Sequence, residues 1–382
     1  MINGRVNSCG LKPLPLLAVL LLASSGGPKV AAEPARPLIG AIRWDAWHQV
    51  PAGDVYAPVL AMERSLGPKQ YQHRLPFFAT VVSDREVRVN GYTPAIIEQE
   101  IAFAKAGGLD YWAFLLYDTN SSMSQALALY LASPRQADVS FCAIAQFANF
   151  AKEPARLVGM MAKTNYVRVA GGRPLLYAFR ISQEQIQILG GPEKARIVFD
   201  RLRADAMAAG CGNPYLVVMN DNVAGSASIA KAIGAEAISD YAVSGHGGKN
   251  GSPYSELTQA ARNFWQQAAD SGAQVVPLAM SGWDRRPRIE HPVPWEKYQQ
   301  PGVGMERYFQ SPTPRELAAH IGDAMTWVDA HPQQCPARAV IIYAWNEHDE
   351  GGWLCPTRGA DGSPDKSRIE ALSAMLSNNW KK

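Results

Sequence analysis

Cysteine is scarce in this chain, five among 382 residues, and no two form a Cys-x-x-Cys pair or cluster with histidine. A structural zinc site is therefore excluded as the organising element. No Gly-x-Gly-x-x-Gly follows any candidate strand, which argues against a dinucleotide-binding sheet. No Asp-x-Asp is present, so nothing points to a nucleotide-sugar site. No repeat and no low-complexity segment occurs. Long apolar runs are also missing: the longest, residues 14–23, is too short to span a bilayer comfortably.

That run belongs to a leader. Arg5 and Lys12 precede it, and Val30-Ala31-Ala32 places small residues before Glu33. Residues 1–32 read as a cleaved signal peptide, with an uncleaved anchor as the alternative. Cys9 lies before the apolar core and no cysteine follows at the cleavage site, which disfavours a lipoprotein. Losing Arg5, Lys12 and Lys29 takes the 37 basic residues to 34, equal to the 34 acidic ones. The mature chain is then neutral, with no basic patch for nucleic acid. A partner held by hydrogen bonds and stacking, such as a poly- or oligosaccharide, fits better. The expected location is periplasmic or extracellular, without membrane insertion after cleavage. Cys142, Cys211, Cys335 and Cys355 remain, and an exported protein can oxidise them in any of three pairings. Nothing in the sequence sets the oligomeric state.

Beyond the leader, short apolar runs alternate with helical patterns. Strands are expected over 38–44, 109–117, 140–147, 174–179, 215–220, 236–240, 275–280 and 339–345. Helices are expected over 122–132, 192–209, 254–270, 314–330 and 366–377, and another begins at Thr93-Pro94 and ends at Gly107-Gly108. Eight β/α units in about 350 residues point to a single (β/α)₈ barrel over residues 33–382 with long loops at its carboxyl-terminal face. An open doubly wound sheet is the alternative. The apolar run 75–82 reads as an insertion after the first strand.

In a barrel the carboxyl ends of all strands share one face, which carries the active site. Those ends supply Trp44, Asp45 and Trp47; Tyr117 and Asp118; Asn149; Asp221; Asp240 with His246 beyond it; Trp283 and Asp284; and Trp345, Asn346, Glu347 and Glu350. Aromatics, amides and carboxylates converge, as polyhydroxylated sugar recognition requires. The densest cluster is Trp345-Asn346-Glu347-His348-Asp349-Glu350-Gly351-Gly352-Trp353, at the end of the last strand. Two carboxylates three apart can serve as acid and base, aromatic faces stack on sugars, and the glycines permit a sharp turn. The alternative is a solvated acidic turn. Asp45 and Asp118 can equally cap loops, Asn149 can satisfy loop backbone, and Asp284 with Arg285, Arg286 and Arg288 can form a structural ion-pair cluster. His246 among glycines can belong to a flexible loop, and Trp44 or Trp47 to barrel packing.

Trp345-Asn346-Glu347-x-x-Glu350-Gly351 resembles the signature of glycoside hydrolase family 99 and the related WbsX-like proteins of polysaccharide gene clusters. Three stretches resemble the WbsX-like branch: Trp283-Asp284-Arg285-Arg286-Pro287-Arg288, Tyr166 through Gly172-Arg173-Pro174, and Ala145-Gln146-Phe147-Ala148-Asn149. Together they cover roughly residues 38–355. The resemblance implies a (β/α)₈ barrel and a cofactor-free, metal-free retaining hydrolase of α-mannoside-like linkages. It gives Glu347 the role of base toward the sugar's own 2-hydroxyl, through an epoxide-like intermediate. Glu350 would be the general acid/base, with a pKa raised by Asp349 and Glu347. Two departures stand out: His348 replaces the motif's aromatic, and Phe150 stands where the WbsX-like pattern carries Glu. A non-catalytic carbohydrate-binding barrel, an envelope-polysaccharide transferase, and a metal-dependent hydrolase built on Asp45, Asp118 and His246 remain as rivals.

Overall fold

In a computed structural model of the protein, residues 1, 3, 4, 36–49, 58–91, 93–243, 245 and 247–380 are described. The proposed leader and His246 lie almost wholly or wholly outside them. Nine parallel strands form the central sheet: β1 (Leu38–Arg43), β2 (Tyr111–Leu115), β3 (Ser140–Gln146), β4 (Arg173–Phe179), β5 (Tyr215–Met219), β6 (Ala237–Ser239), β7 (Gln274–Val275), β8 (Leu278–Met280) and β9 (Ala339–Tyr343). Their order is β7-β6-β5-β4-β3-β2-β1-β9-β8.

The ends of this sheet are consecutive in the chain. β7 pairs with β6, β8 pairs with β9, and only Val276 and Pro277 separate them. Val276 N donates to Ile238 O at 3.1 Å, and Pro277 O accepts from Ile341 N at 3.0 Å. β7 and β8 are thus halves of one stave, interrupted at a proline that has no N–H to give a ladder. Counted this way there are eight staves, and the sheet closes into a (β/α)₈ barrel. All eight expected strands are present, each within a few residues of its expected limits; the break at Pro277 was not indicated by the sequence pattern.

The staves are apolar without alternation because both faces are covered. Every residue of β5 and β9 is buried. Helix Pro94–Gly107 begins where Thr93 Oγ1 accepts from Ile96 N at 3.2 Å and ends at Gly108 in the left-handed region. Helix Pro314–Ala330 carries a capping box between Thr313 and Glu316. Helix Val223–Ile233 was not expected, since Gly225, Ser226 and Ser228 give its first half low helix propensity; Asn222 caps it, accepting from Gly225 N at 2.7 Å. The 75–82 run lies outside the barrel, where Thr80–Ser83 and Glu86–Arg88 make a hairpin. Among the described residues no helix is long and apolar enough to cross a membrane. Cys142, Cys211, Cys335 and Cys355 are all buried and free, so none of the three pairings is formed.

Beyond β8 and β9 two loops are joined through main chain. Tyr343 O accepts from Ser281 N at 2.6 Å, and Asp284 N donates to Glu350 O at 2.7 Å. Gly282 sits between them with φ 146°, and a Cβ there would lie 2.1 Å from Gly351 O. Gly282→Ala is therefore expected to destabilise the fold by about 2–4 kcal/mol, through a backbone clash and a disfavoured φ. Denaturant unfolding checks this; an unchanged midpoint would contradict it.

Candidate active site

The chain leaves β9 through a cis Tyr343–Ala344 peptide. Asn346–Glu347 then pairs with Gly352–Trp353, closed by one tight helical turn, His348–Glu350. Gly351, with φ 83°, reverses the chain behind the carboxylates. This hairpin stands at the carboxyl-end face of the barrel and directs Glu347, Asp349 and Glu350 onto one arginine. That arginine is Arg288, on the short helix Arg286–Glu290 that follows β8.

Arg288 is buried and its guanidinium is shared among four carboxyls. Nε binds Asp349 Oδ2 at 2.5 Å, Nη1 binds Glu350 Oε1 at 2.5 Å, and Nη2 reaches Glu347 Oε2 at 3.3 Å. Glu296 Oε1 lies 3.3 Å from Nη1. Arg285 adds a second cation: its Nε stands 3.0 Å from Glu350 Oε1, and its Nη2 pairs with Glu296. The face of the Arg288 guanidinium lies 4.8 Å from the Trp44 ring centroid. Two tyrosines complete the arrangement. Tyr241 OH donates to Glu347 Oε1 at 2.9 Å, and Tyr343 OH donates to Glu350 Oε2.

These surroundings separate the two glutamates. Burial, then the Glu350 charge, push Glu347 well above the ordinary carboxyl range; its 3.3 Å contact with Arg288 is too weak to reverse this. Burial acts on Glu350 too, but Arg288, Arg285 and the Tyr343 hydroxyl outweigh it and hold Glu350 below the ordinary range. In this arrangement the proton rests on Glu347 and Glu350 is ionised. This corrects the expectation of a raised Glu350: Asp349, which was to raise it, is itself tied to Arg288. Burial raises the pKa of Asp349 while Arg288 opposes.

The other expected site residues divide clearly. Trp44 joins the site, its Nε1 donating to Tyr117 OH at 2.9 Å. Tyr117, half-buried, feels the Glu347 charge. Trp283 packs on Tyr343 at 5.5 Å. Trp345 is fully buried against Trp112, at 5.2 Å, with Nε1 on Glu100. It is a packing residue and offers no face to a sugar. Trp47 is likewise buried, edge-on to His348 at 5.1 Å. His348, neutral because burial lowers it to about 3, stacks on Trp353 at 5.8 Å. Asp45 is committed to Arg43 at 2.8 Å and to Asn346 Nδ2 at 3.0 Å, while Asn346 Oδ1 accepts from Trp44 N at 2.9 Å. Asn149 caps the helix after β3, accepting from Gln146 N at 2.8 Å. Asp118 is exposed, and Asp221 is exposed in a 3.3 Å pair with Arg180. Asp284 binds Arg74 and Arg286, which hold its carboxyl below the usual range although burial opposes them.

The expected arginine cluster thus splits. Arg286 stays with Asp284, whereas Arg285 and Arg288 turn to Glu296 and Glu350. Asp45 and Asp118 do not form a metal set; among the described residues no three His, Cys, Asp or Glu could together hold an ion. Sequence reasoning missed Arg288 as the organiser, Tyr343 and Glu296, and placed Tyr241 with Asp240 at the end of the sixth strand without giving it a role. Tyr343 carried a signal as a hydroxyl ending an otherwise apolar strand. Asp240, after β6, is buried beside Asp221 and raised to about 8 by burial and that neighbour's charge.

No family model and no curated protein matches the chain. Its fold does match solved structures. A glycoside hydrolase-like protein superposes with a TM-score of 0.55 at 12% identity, over 92% of this chain and 96% of that one. The GH99 endo-alpha-mannosidase from Bacteroides thetaiotaomicron gives 0.54 at 11% identity, over 89% and 96%. The same enzyme bound to bis-tris-propane gives 0.52 at 12% identity. The chain therefore has a GH99-like barrel fold.

Because Glu347 lies above its free value of 4.5, the folded state keeps a proton that the unfolded chain has released, so stability falls as pH rises from there. Glu350 works in the opposite sense, and its contribution is lost only as pH falls below 4.5. Glu347→Gln should therefore flatten the decline in denaturant midpoint as pH rises above 4.5. An unchanged slope in the variant would contradict the protonated Glu347.

Proposed function

We propose that the protein is a glycoside hydrolase in which Glu347 and Glu350 share one proton and cleave an α-linked, mannoside-like glycan with retention. The observation that carries this reading is that two buried carboxyls, Glu347 and Glu350, meet on the Arg288 guanidinium at 3.3 and 2.5 Å, at the carboxyl-end face of a barrel. Pairs whose surroundings drive their pKa values apart are how one site holds acid and base together. Two carboxyls on one guanidinium also suit the short separation of a retaining pair, roughly 5 Å. The shared fold with an endo-alpha-mannosidase supports the substrate class, and the leader's pattern supports export.

The resemblance of the motif gives Glu347 the base's part and Glu350 the acid's. With the proton resting on Glu347, that order requires the proton to pass to Glu350 when glycan binds. A sugar 2-hydroxyl beside Glu347 and a glycosidic oxygen beside Glu350 would accompany that transfer. The Tyr241 hydroxyl then stabilises the ionised Glu347.

Release of reducing ends from a panel of α-mannans, other α-glycans and bacterial envelope polysaccharides tests the reading. The wild type should release them, and Glu347→Gln or Glu350→Gln should each lose about 10²–10⁴ in rate. Near-normal activity in Glu350→Gln would sink the assignment. A non-catalytic binding barrel is the second reading, favoured by the engagement of both carboxyls with Arg288, which leaves neither free. It predicts glycan binding with no reducing ends.

A further inference from the structure

Most large apolar side chains in the described residues are buried, and the exposed ones are few. Three of them fall on one loop: Trp295 is 41% exposed, Tyr298 76% and Val303 61%. The two aromatic members of the exposed set are both here. This loop, residues 291–304, follows the helix that carries Arg288. It is ordered by its own hydrogen bonds: Glu296 N to Val293 O at 3.1 Å, Gln299 N to Glu296 O at 3.0 Å, and Gly302 N to Ile289 O at 2.9 Å. The exposure is thus built into a formed loop.

The loop is also bound to the carboxylate cluster. Glu296 pairs with both Arg285 and Arg288. Next to it, Trp295 meets Trp44 at 5.7 Å with planes inclined 59°, and stands 6.0 Å from the Arg288 guanidinium. Trp295 therefore stands at the edge of the site while 41% exposed, and Tyr298 on the same loop is near enough to Arg285 to act on its charge. Glu347 and Glu350, by contrast, expose only 2% and 7% of their surfaces. Trp295, with Trp44, flanks the guanidinium that holds both carboxyls.

We propose that Trp295 and Tyr298 form an outer subsite that stacks on a pyranose ring of a glycan chain, at a residue away from the bond held by Glu347 and Glu350. The subsite rests on the glycan reading given above. It makes a chain of several sugars the preferred ligand, because a single sugar fills only the inner site. Flat apolar faces with polar rims suit such rings, and large exposed aromatics beside a site mark a binding surface.

The test is calorimetric binding of α-linked manno-oligosaccharides of increasing length to Glu350→Gln protein, with and without Trp295→Ala. Affinity should rise with length, and Trp295→Ala should remove about a tenfold increment. Trp295→Phe keeps an aromatic face and should keep most of the increment, which separates stacking from simple misfolding. Retention of the full increment in Trp295→Ala would overturn the subsite and leave the inner site standing. A change of oligomeric state in Trp295→Ala, with the increment intact, would assign the aromatics to a protein interface instead. Absence of binding to every oligosaccharide in all variants would overturn the glycan reading and the subsite together.

Discussion

A buried arginine shared by four carboxyl groups is the constraint on which the site depends. Arg288 cannot be satisfied by solvent, and Glu347, Asp349 and Glu350 cannot all remain ionised around it without further compensation. Arg285 supplies one more positive charge, and a proton on Glu347 removes one of the negative ones. The two-residue strands of the carboxylate hairpin, the tight turn at Gly351 and the short helix bearing Arg288 are each too small to persist alone. Their mutual ion pairs and the main-chain bonds across Gly282 hold them. Removing one partner from such a cluster is costly because the others are left buried and uncompensated.

The barrel contributes the convergence. Pairing of β8 with β9 makes the loops after them neighbours, and closure of the ring around Pro277 brings Tyr241, after β6, to the same place. Trp345, Asn346 and Asp45 then act beneath the site. Asn346 ties the main chain of Trp44 to Asp45, Asp45 is fixed by Arg43, and Trp345 reaches Glu100 on the helix after the first loop. These residues anchor the floor on which Trp44 and Glu347 stand.

The architecture was legible because each stave is covered on both faces and reads as an uninterrupted apolar run, while proline, threonine and glycine mark the helix ends. The carboxylate pair was legible for a similar reason: so many polar residues directly after an apolar strand have few structural uses. Partner choice was not legible. Arg285, Arg286 and Arg288 look alike in a line of text, yet the helical turn sends Arg286 to Asp284 and the other two toward Glu350. Tyr241 lies about a hundred residues from Glu347 and is brought to it only by ring closure. Burial also inverted the roles expected of the tryptophans. Trp345 and Trp353, beside the glutamates in sequence, are packed away, whereas Trp295, on a proline-flanked loop, reaches solvent.

The most direct measurement is the protonation state of each glutamate at neutral pH, read from the carboxyl stretch in infrared difference spectra of wild type against Glu347→Gln and against Glu350→Gln. The account predicts a protonated-carboxyl band that disappears in Glu347→Gln and survives in Glu350→Gln. A band that survives in Glu347→Gln and disappears in Glu350→Gln would contradict it, placing the shared proton on the glutamate that Arg288 and Arg285 are held to ionise.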